Sequence, residues 1–285
     1  MLLIFATILQ AADFACNKIY QKREGTSIRA ILKFNALLGL FTAALFFVAN
    51  GFRVNFTMYS FFMAAAMNLL VICYNFFGFQ LLKRGSVAVY TLFLMTGGMT
   101  LPYIWGVAFL GEPLTAVRTV ALVLICVGVI VSNAGGKNMD LKTVIMCGAV
   151  FLLNGFVSVV SKKHQIEDGF PCISATDFVL LGGLFKFVLS ALLYLCVRKQ
   201  ESEYVRDSNT LAIFIIIASA AVSGASYYFQ LLGAASLPAS VLYPFVTGGT
   251  IVFSALVGRF LFREAVSRKL VLGIVFCFVG TLLFL

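Results

Sequence analysis

The segment Phe79-Gln80-Leu81-Leu82 returns 150 residues later as Phe229-Gln230-Leu231-Leu232, and it does not return alone. Thr96-Gly97-Gly98 recurs as Thr247-Gly248-Gly249, Glu112 as Glu264 and Gly128 as Gly280, at offsets of 151, 152 and 152. Nearly everything between these markers is apolar. Two half-chains that repeat one another and avoid water are constrained to a duplicated helical bundle whose solvent is lipid, the architecture of many carriers.

Composition leaves little room for a soluble domain. The chain is 61% hydrophobic and 11% charged, with a mean hydropathy of +1.03. Its charges fall in short clusters between apolar runs long enough to cross a bilayer, which takes about 20 helical residues. The formal net charge of +10 is not a nucleic-acid footprint, because Lys and Arg flank the apolar runs and form no single basic face. The seven cysteines lie in or beside apolar segments without CxxC spacing, which reads as small buried hydrophobes. The single histidine, His164, follows Lys162-Lys163 in what reads as a solvated connecting loop. Asn55-Phe56-Thr57 fits a glycosylation triplet, a pattern too common by chance to carry weight. Met1 leads into an apolar helix without a basic preamble, so no cleavable signal peptide is expected and this stretch reads as the first span.

The expected fold is an all-α polytopic membrane protein. Ten transmembrane helices are read at about 2–20, 31–49, 58–82, 86–110, 116–133, 143–161, 173–196, 210–232, 236–258 and 270–285. Residues 1–133 form a first five-helix repeat, 134–142 a polar linker and 143–285 a second five-helix repeat. An odd number of helices per repeat makes the two copies enter the membrane in opposite directions, so the repeats are inverted. The odd-numbered loops hold 14 Lys and Arg and the even-numbered ones 3. The positive-inside rule then puts the odd loops in the cytoplasm and both termini outside.

These residues carry a family resemblance. Ser86 to Ser132 runs through Thr96-Gly97-Gly98, Pro102, Leu110-Gly111-Glu112 and Gly128; Ser236 to Leu285 repeats it through Pro244, Thr247-Gly248-Gly249, Phe262-Arg263-Glu264, Gly273 and Gly280. The pattern of a small-residue helix, an acidic turn and a glycine-containing closing helix resembles the EamA-type members of the drug/metabolite transporter superfamily. The second copy departs from it by placing Arg263 where the first has Gly111. The resemblance implies a five-plus-five fold and secondary transport, in the plasma (inner) membrane of a bacterium, and it implies cytoplasmic termini against the loop charges. It does not fix a substrate, since the family carries amino acids, nucleotide sugars, vitamins and drugs.

Asp13 is the first candidate for a functional group. A carboxylate near the middle of span 1 costs about 2.5–3.5 kcal/mol on insertion scales and must face the bundle interior. Asn17 lies one turn further along the same face. The related small multidrug resistance transporters place an acidic residue in their first helix for proton and cation coupling, which resembles this arrangement. Lys186 is the opposite charge at similar depth in span 7, suited to an anionic substrate or to an internal ion pair with Asp13. Lys33 and Asp177 lie nearer span ends, where Lys33 reads as snorkelling. In span 9, Ser240, Tyr243, Thr247, Thr250 and Ser254 share one helical face. Ser219, Ser223, Ser226 and Gln230 repeat the idea in span 8, Asn154, Ser158 and Ser161 in span 6, and Asn68 and Asn75 in span 3. With Thr96, these side chains are expected to bound a substrate cavity; for any one hydroxyl, helix packing explains its presence as well. Gly97, Gly98, Gly248 and Gly249, with Pro102 and Pro244 nearby, read as hinges or as close-packing points.

The expectation is therefore a secondary active transporter of a small polar or amphipathic metabolite, proton-coupled or exchange-driven, working by alternating access. An enzyme is not expected: there is no HExxH motif or carboxylate cluster, and the sole histidine is assigned to a loop. A channel or a non-transporting scaffold is the alternative. No cofactor, metal or nucleic-acid partner is expected. The partners are a small-molecule substrate and the lipid bilayer, with the chain a monomer or homodimer.

Overall fold

The computed structural model describes residues 2–25, 27–83, 87–133, 140–197, 210–263 and 268–284. Among them are ten helices: α1 (Leu2–Glu24), α2 (Ile28–Ala49), α3 (Met58–Lys83), α4 (Val87–Phe109), α5 (Ala116–Asn133), α6 (Leu141–Gln165), α7 (Ala175–Cys196), α8 (Thr210–Ser236), α9 (Ala239–Phe262) and α10 (Arg268–Leu282). No strand occurs among the described residues. Eight helices are long and apolar enough to cross a membrane; the apolar part of α5, Ala116–Val131, is shorter, and so is the 15-residue α10. The expected linker falls largely on 134–139, outside the described residues, and its last two positions belong to α6.

Burial is arranged for lipid. Phe62, Phe76, Phe109, Phe214 and Phe260 point outward, while Thr7, Asp13, Asn68, Asp177, Ser219 and Ser226 are buried. In hydrocarbon an unsatisfied polar group costs several kcal/mol, so polar side chains turn to the protein interior and the aromatics face the acyl chains.

Helix starts follow local capping chemistry. The Ser27 hydroxyl accepts from the Ala30 amide at 3.1 Å to open α2. The Asp140 carboxylate accepts from the Thr143 amide at 3.3 Å to open α6. Ser174 accepts from the Asp177 amide at 3.1 Å and returns its own proton to the Asp177 carboxylate at 2.8 Å, opening α7. The N-cap of α9 is Pro238, which has no capping side chain, so that helix start must be satisfied from elsewhere.

Across the bundle, α1 packs on α8 and α9, and α6 packs on α3 and α4. Helix α2 pairs with α7, α5 with α10 and α4 with α9.

Candidate functional site

The first polar cluster joins α1 to α8 beside α7. Asp13 is buried, and its carboxylate accepts from the Ser219 hydroxyl and, at 3.0 Å, from Asn17 Nδ2. About 10 Å along the same pair of helices, at 1.5 Å per residue, Ser226 donates to the Ala6 carbonyl at 2.8 Å, and Gln230 Nε2 reaches Ser226 at 3.2 Å and Gln10 Oε1 at 3.4 Å. The Lys186 ammonium on α7 is the cation whose charge acts on Asp13. It makes no hydrogen bond to it, because the bonds to the carboxylate come from the neutral Asn17 and Ser219.

The second cluster joins α6 to α4 and α9. Pro102 inside α4 lacks the N–H that would bond the Gly98 carbonyl. Ser158 donates to that carbonyl instead, at 3.2 Å. Asn154 Nδ2 donates to the Leu94 carbonyl at 2.7 Å, and Tyr243 donates to the Ser158 carbonyl at 2.7 Å. Thr96 turns its hydroxyl back to the Leu92 carbonyl at 2.7 Å. The span 9 stripe divides: the Ser240 and Thr250 hydroxyls are buried without a partner, Thr247 is half-buried, and Ser254 lines an outer groove of 180 Å³ between α1 and α9.

Tyr227 ties the clusters together. Its hydroxyl meets Ser161 of α6 at 2.8 Å and donates to Met67 Sδ of α3 at 3.0 Å. Asn68 of α3 is buried and donates to the Ala64 carbonyl at 2.9 Å; Asn75, a heptad further along, is half-buried. Tyr74, Lys186 and Tyr227 are half-buried.

The four candidate hinge glycines sit at close helix contacts. A Cβ at Gly97 would lie 2.2 Å from the Phe151 carbonyl oxygen and one at Gly248 2.2 Å from Thr281 Oγ1; at Gly98 and Gly249 it would lie 2.7 Å from Asn154 Nδ2 and 2.8 Å from Thr7 Cγ2. Close packing alone accounts for all four.

One face of the bundle, built from the even-numbered loops, is braced by Glu112, Lys162 and Asp177, which the sequence reading named without giving them this role. Gly111 takes φ +64°, reversing the chain after α4. That brings Glu112 onto the bare start of α9, where its carboxylate accepts from the Ala239 amide at 2.6 Å and the Ser240 amide at 2.8 Å. Lys162 Nζ donates to the Ala234 and Leu237 carbonyls at the end of α8, both at 2.6 Å. Asp177 closes the neighbouring quarter, accepting from Asn50 Nδ2 at 2.6 Å, Asn55 Nδ2 at 2.8 Å and the Asn55 amide at 3.1 Å.

His164 and Lys162 correct the loop assignment. Helix α6 continues to Gln165, so both lie in its last turn. His164 is fully buried, stacked on Phe178 at 3.9 Å between ring centroids. Ser60 Oγ, which accepts from the Ile173 amide at 3.1 Å, lies 2.8 Å from His164 Nε2, and Gln165 Nε2 lies 2.9 Å from Nδ1. Beyond the helix end, the Lys163 ammonium at 2.6 Å and the Gly169 amide hold the Glu167 carboxyl below the usual glutamate range. The acidic turn at Gly111-Glu112 was visible in sequence; what it grips was not, because the partner atoms belong to the backbone 127 residues away.

Fold and burial define a polytopic membrane protein. No protein-family description and no curated protein matches this chain. A solved structure described only as the crystal structure of a protein is similar to it over 99% of this chain and 94% of that one, with a TM-score of 0.80 at 19% identity. At that identity the likeness concerns the fold alone.

Proposed function

We propose that the chain is a secondary active transporter of the EamA type in the drug/metabolite transporter superfamily, moving a small polar or amphipathic metabolite across a bacterial inner membrane by alternating access. The observation that carries this reading is Asp13: a buried mid-span carboxylate held by neutral donors, within electrostatic reach of Lys186. An intramembrane ionisable group so placed marks a solute or proton pathway.

Helix pairing supports two inverted repeats. Exchanging each helix with the one five places along turns the α1–α8 and α1–α9 packings into α6–α3 and α6–α4, and leaves α2–α7, α4–α9 and α5–α10 unchanged. Arg263, which replaces the repeat's glycine, takes φ +53°, the same left-handed turn as Gly111 at φ +64°. The Glu112 and Lys162 grips fit a closed gate on the even-loop face, with the halves rocking about the polar clusters and Asp13 alternating between protonated and ionised states. Coupling is to protons or to exchange of a second substrate molecule.

The test uses proteoliposomes carrying a luminal pH dye and exposed to a panel of polar metabolites. The account expects at least one solute to enter with saturable kinetics and counterflow, and proton-linked entry to disappear in Asp13→Asn. Flux that rises linearly without counterflow indicates a pore, and proton coupling that survives Asp13→Asn removes the assigned role.

A further inference from the structure

Among the described residues the Lys186 ammonium has no hydrogen-bond partner, and the residue is half-buried in the bundle. It projects from α7 about 16 Å along the helix from Ala175, at 1.5 Å per residue, which is near mid-membrane. An unpaired buried ammonium is penalised by several kcal/mol, and an ion pair with a carboxylate is the usual remedy. The nearest carboxylate does not supply one: Asp13 gives its oxygens to Asn17 and Ser219. Lys186 nevertheless keeps part of its surface accessible. The surroundings are otherwise neutral. Gly182, one turn earlier on α7, faces Met67 and Asn68 of α3. Gly39 of α2 lies against the Lys186 Cβ. The charged or titratable groups that face Asp13 are Lys186 and the Cys16 thiol, and α8 contributes only the Ser219 hydroxyl.

Resting on the carrier reading above, we propose that Lys186 receives an anionic group of the substrate, a carboxylate or a phosphate, and that protonation of Asp13 is what makes the site attractive to it. With Asp13 ionised, the two charges offset each other and an incoming anion meets little net field. With Asp13 protonated, Lys186 stands alone as a positive charge in a weakly screened interior. Proton and anion binding are then linked, and each tightens the other by the same factor. No bond is made or broken beyond the protonation of Asp13, which takes its proton from solvent.

The test measures binding, not transport, so its failure is separable from failure of the carrier reading. Purified full-length protein in detergent is titrated calorimetrically at several pH values with acetate and succinate in one arm and inorganic phosphate and glucose 6-phosphate in the other. One arm is expected to bind, with affinity falling at least tenfold as pH rises through the Asp13 titration. Lys186→Arg should retain binding, Lys186→Gln should weaken it at least tenfold at every pH, and Asp13→Asn should bind tightly with no pH dependence. Undiminished anion binding by Lys186→Gln overturns the proposal, as does a wild-type pH dependence that persists in Asp13→Asn. Absence of binding in both arms overturns it as well. Should Lys186→Gln fail to fold, the Asp13→Asn pH profile still decides.

Discussion

Glu112 and Lys162, opposite charges on two separate elements, grip opposite ends of a single turn. Glu112 holds the first two amides of α9, and Lys162 holds the Ala234 and Leu237 carbonyls that end α8. Each charge complements the helix end it caps, negative at an N-terminus and positive at a C-terminus. A hydrogen bond to a charged group contributes about 1.5–3 kcal/mol. Glu112→Ala should therefore speed amide exchange at Ala239 and Ser240 by at least about tenfold, the equivalent of 1.4 kcal/mol. Unchanged exchange there would show that the grip does not hold the turn.

The repeated turn gives a second prediction. Arg263 adopts the left-handed conformation that Gly111 adopts without side-chain strain, and a non-glycine residue there is penalised by about 1–2 kcal/mol. Arg263→Gly should raise the unfolding free energy by about 1 kcal/mol, and Gly111→Ala should lower it by a similar amount. Thermal or denaturant unfolding in detergent measures both; a reversed sign for either variant would show that the two turns differ in solution.

Asp177 satisfies four donors from the α2–α3 connection and the α7 cap. Removing a buried carboxylate with that many partners leaves them all unpaired, so Asp177→Ala should destabilise by about 3 kcal/mol or more. The exposed Asp168 is the control, with Asp168→Ala expected within about 0.5 kcal/mol of wild type. Equal effects of the two substitutions would contradict this role.

Acid dependence at the α6–α7 connection follows from Glu167, whose folded-state value is depressed chiefly by Lys163. A depressed carboxyl contributes its stabilisation fully above the unfolded value, about 4.3, and loses it as pH falls through the folded value. The stability difference between wild type and Glu167→Gln should thus be constant from neutral pH down to about 4.3 and shrink on further acidification. A difference that grows on acidification would reverse the assigned sign.

The helices were legible because apolar runs and their interrupting charges scale directly with bilayer thickness. The expected span at 58–82 appears as Met58–Lys83, and that at 116–133 as Ala116–Asn133. Asp13 and Lys186 were legible as interior charges, and Asn17 as an amide beside them, because lipid allows them nowhere else. His164 and Lys162 were misplaced because charge was read as the end of a helix. In the structure α6 runs on to Gln165 and buries both residues against α3, α7 and the end of α8. Asn154 and Ser158 were expected at a substrate cavity, and both are engaged with α4 backbone carbonyls. Ser158 answers the vacancy that Pro102 creates, a relation that no single-helix pattern displays.

Access to Lys186 from the two sides of the membrane tests the central claim most directly. A cysteine at position 186 in an otherwise cysteine-free background, reconstituted in one orientation, is challenged with a membrane-impermeant thiol reagent from either side. The account predicts labelling from the odd-loop face only, and labelling from the even-loop face as well once Glu112→Ala is added. Labelling of the parent equally from both faces, or from neither, would contradict a carrier closed on one side.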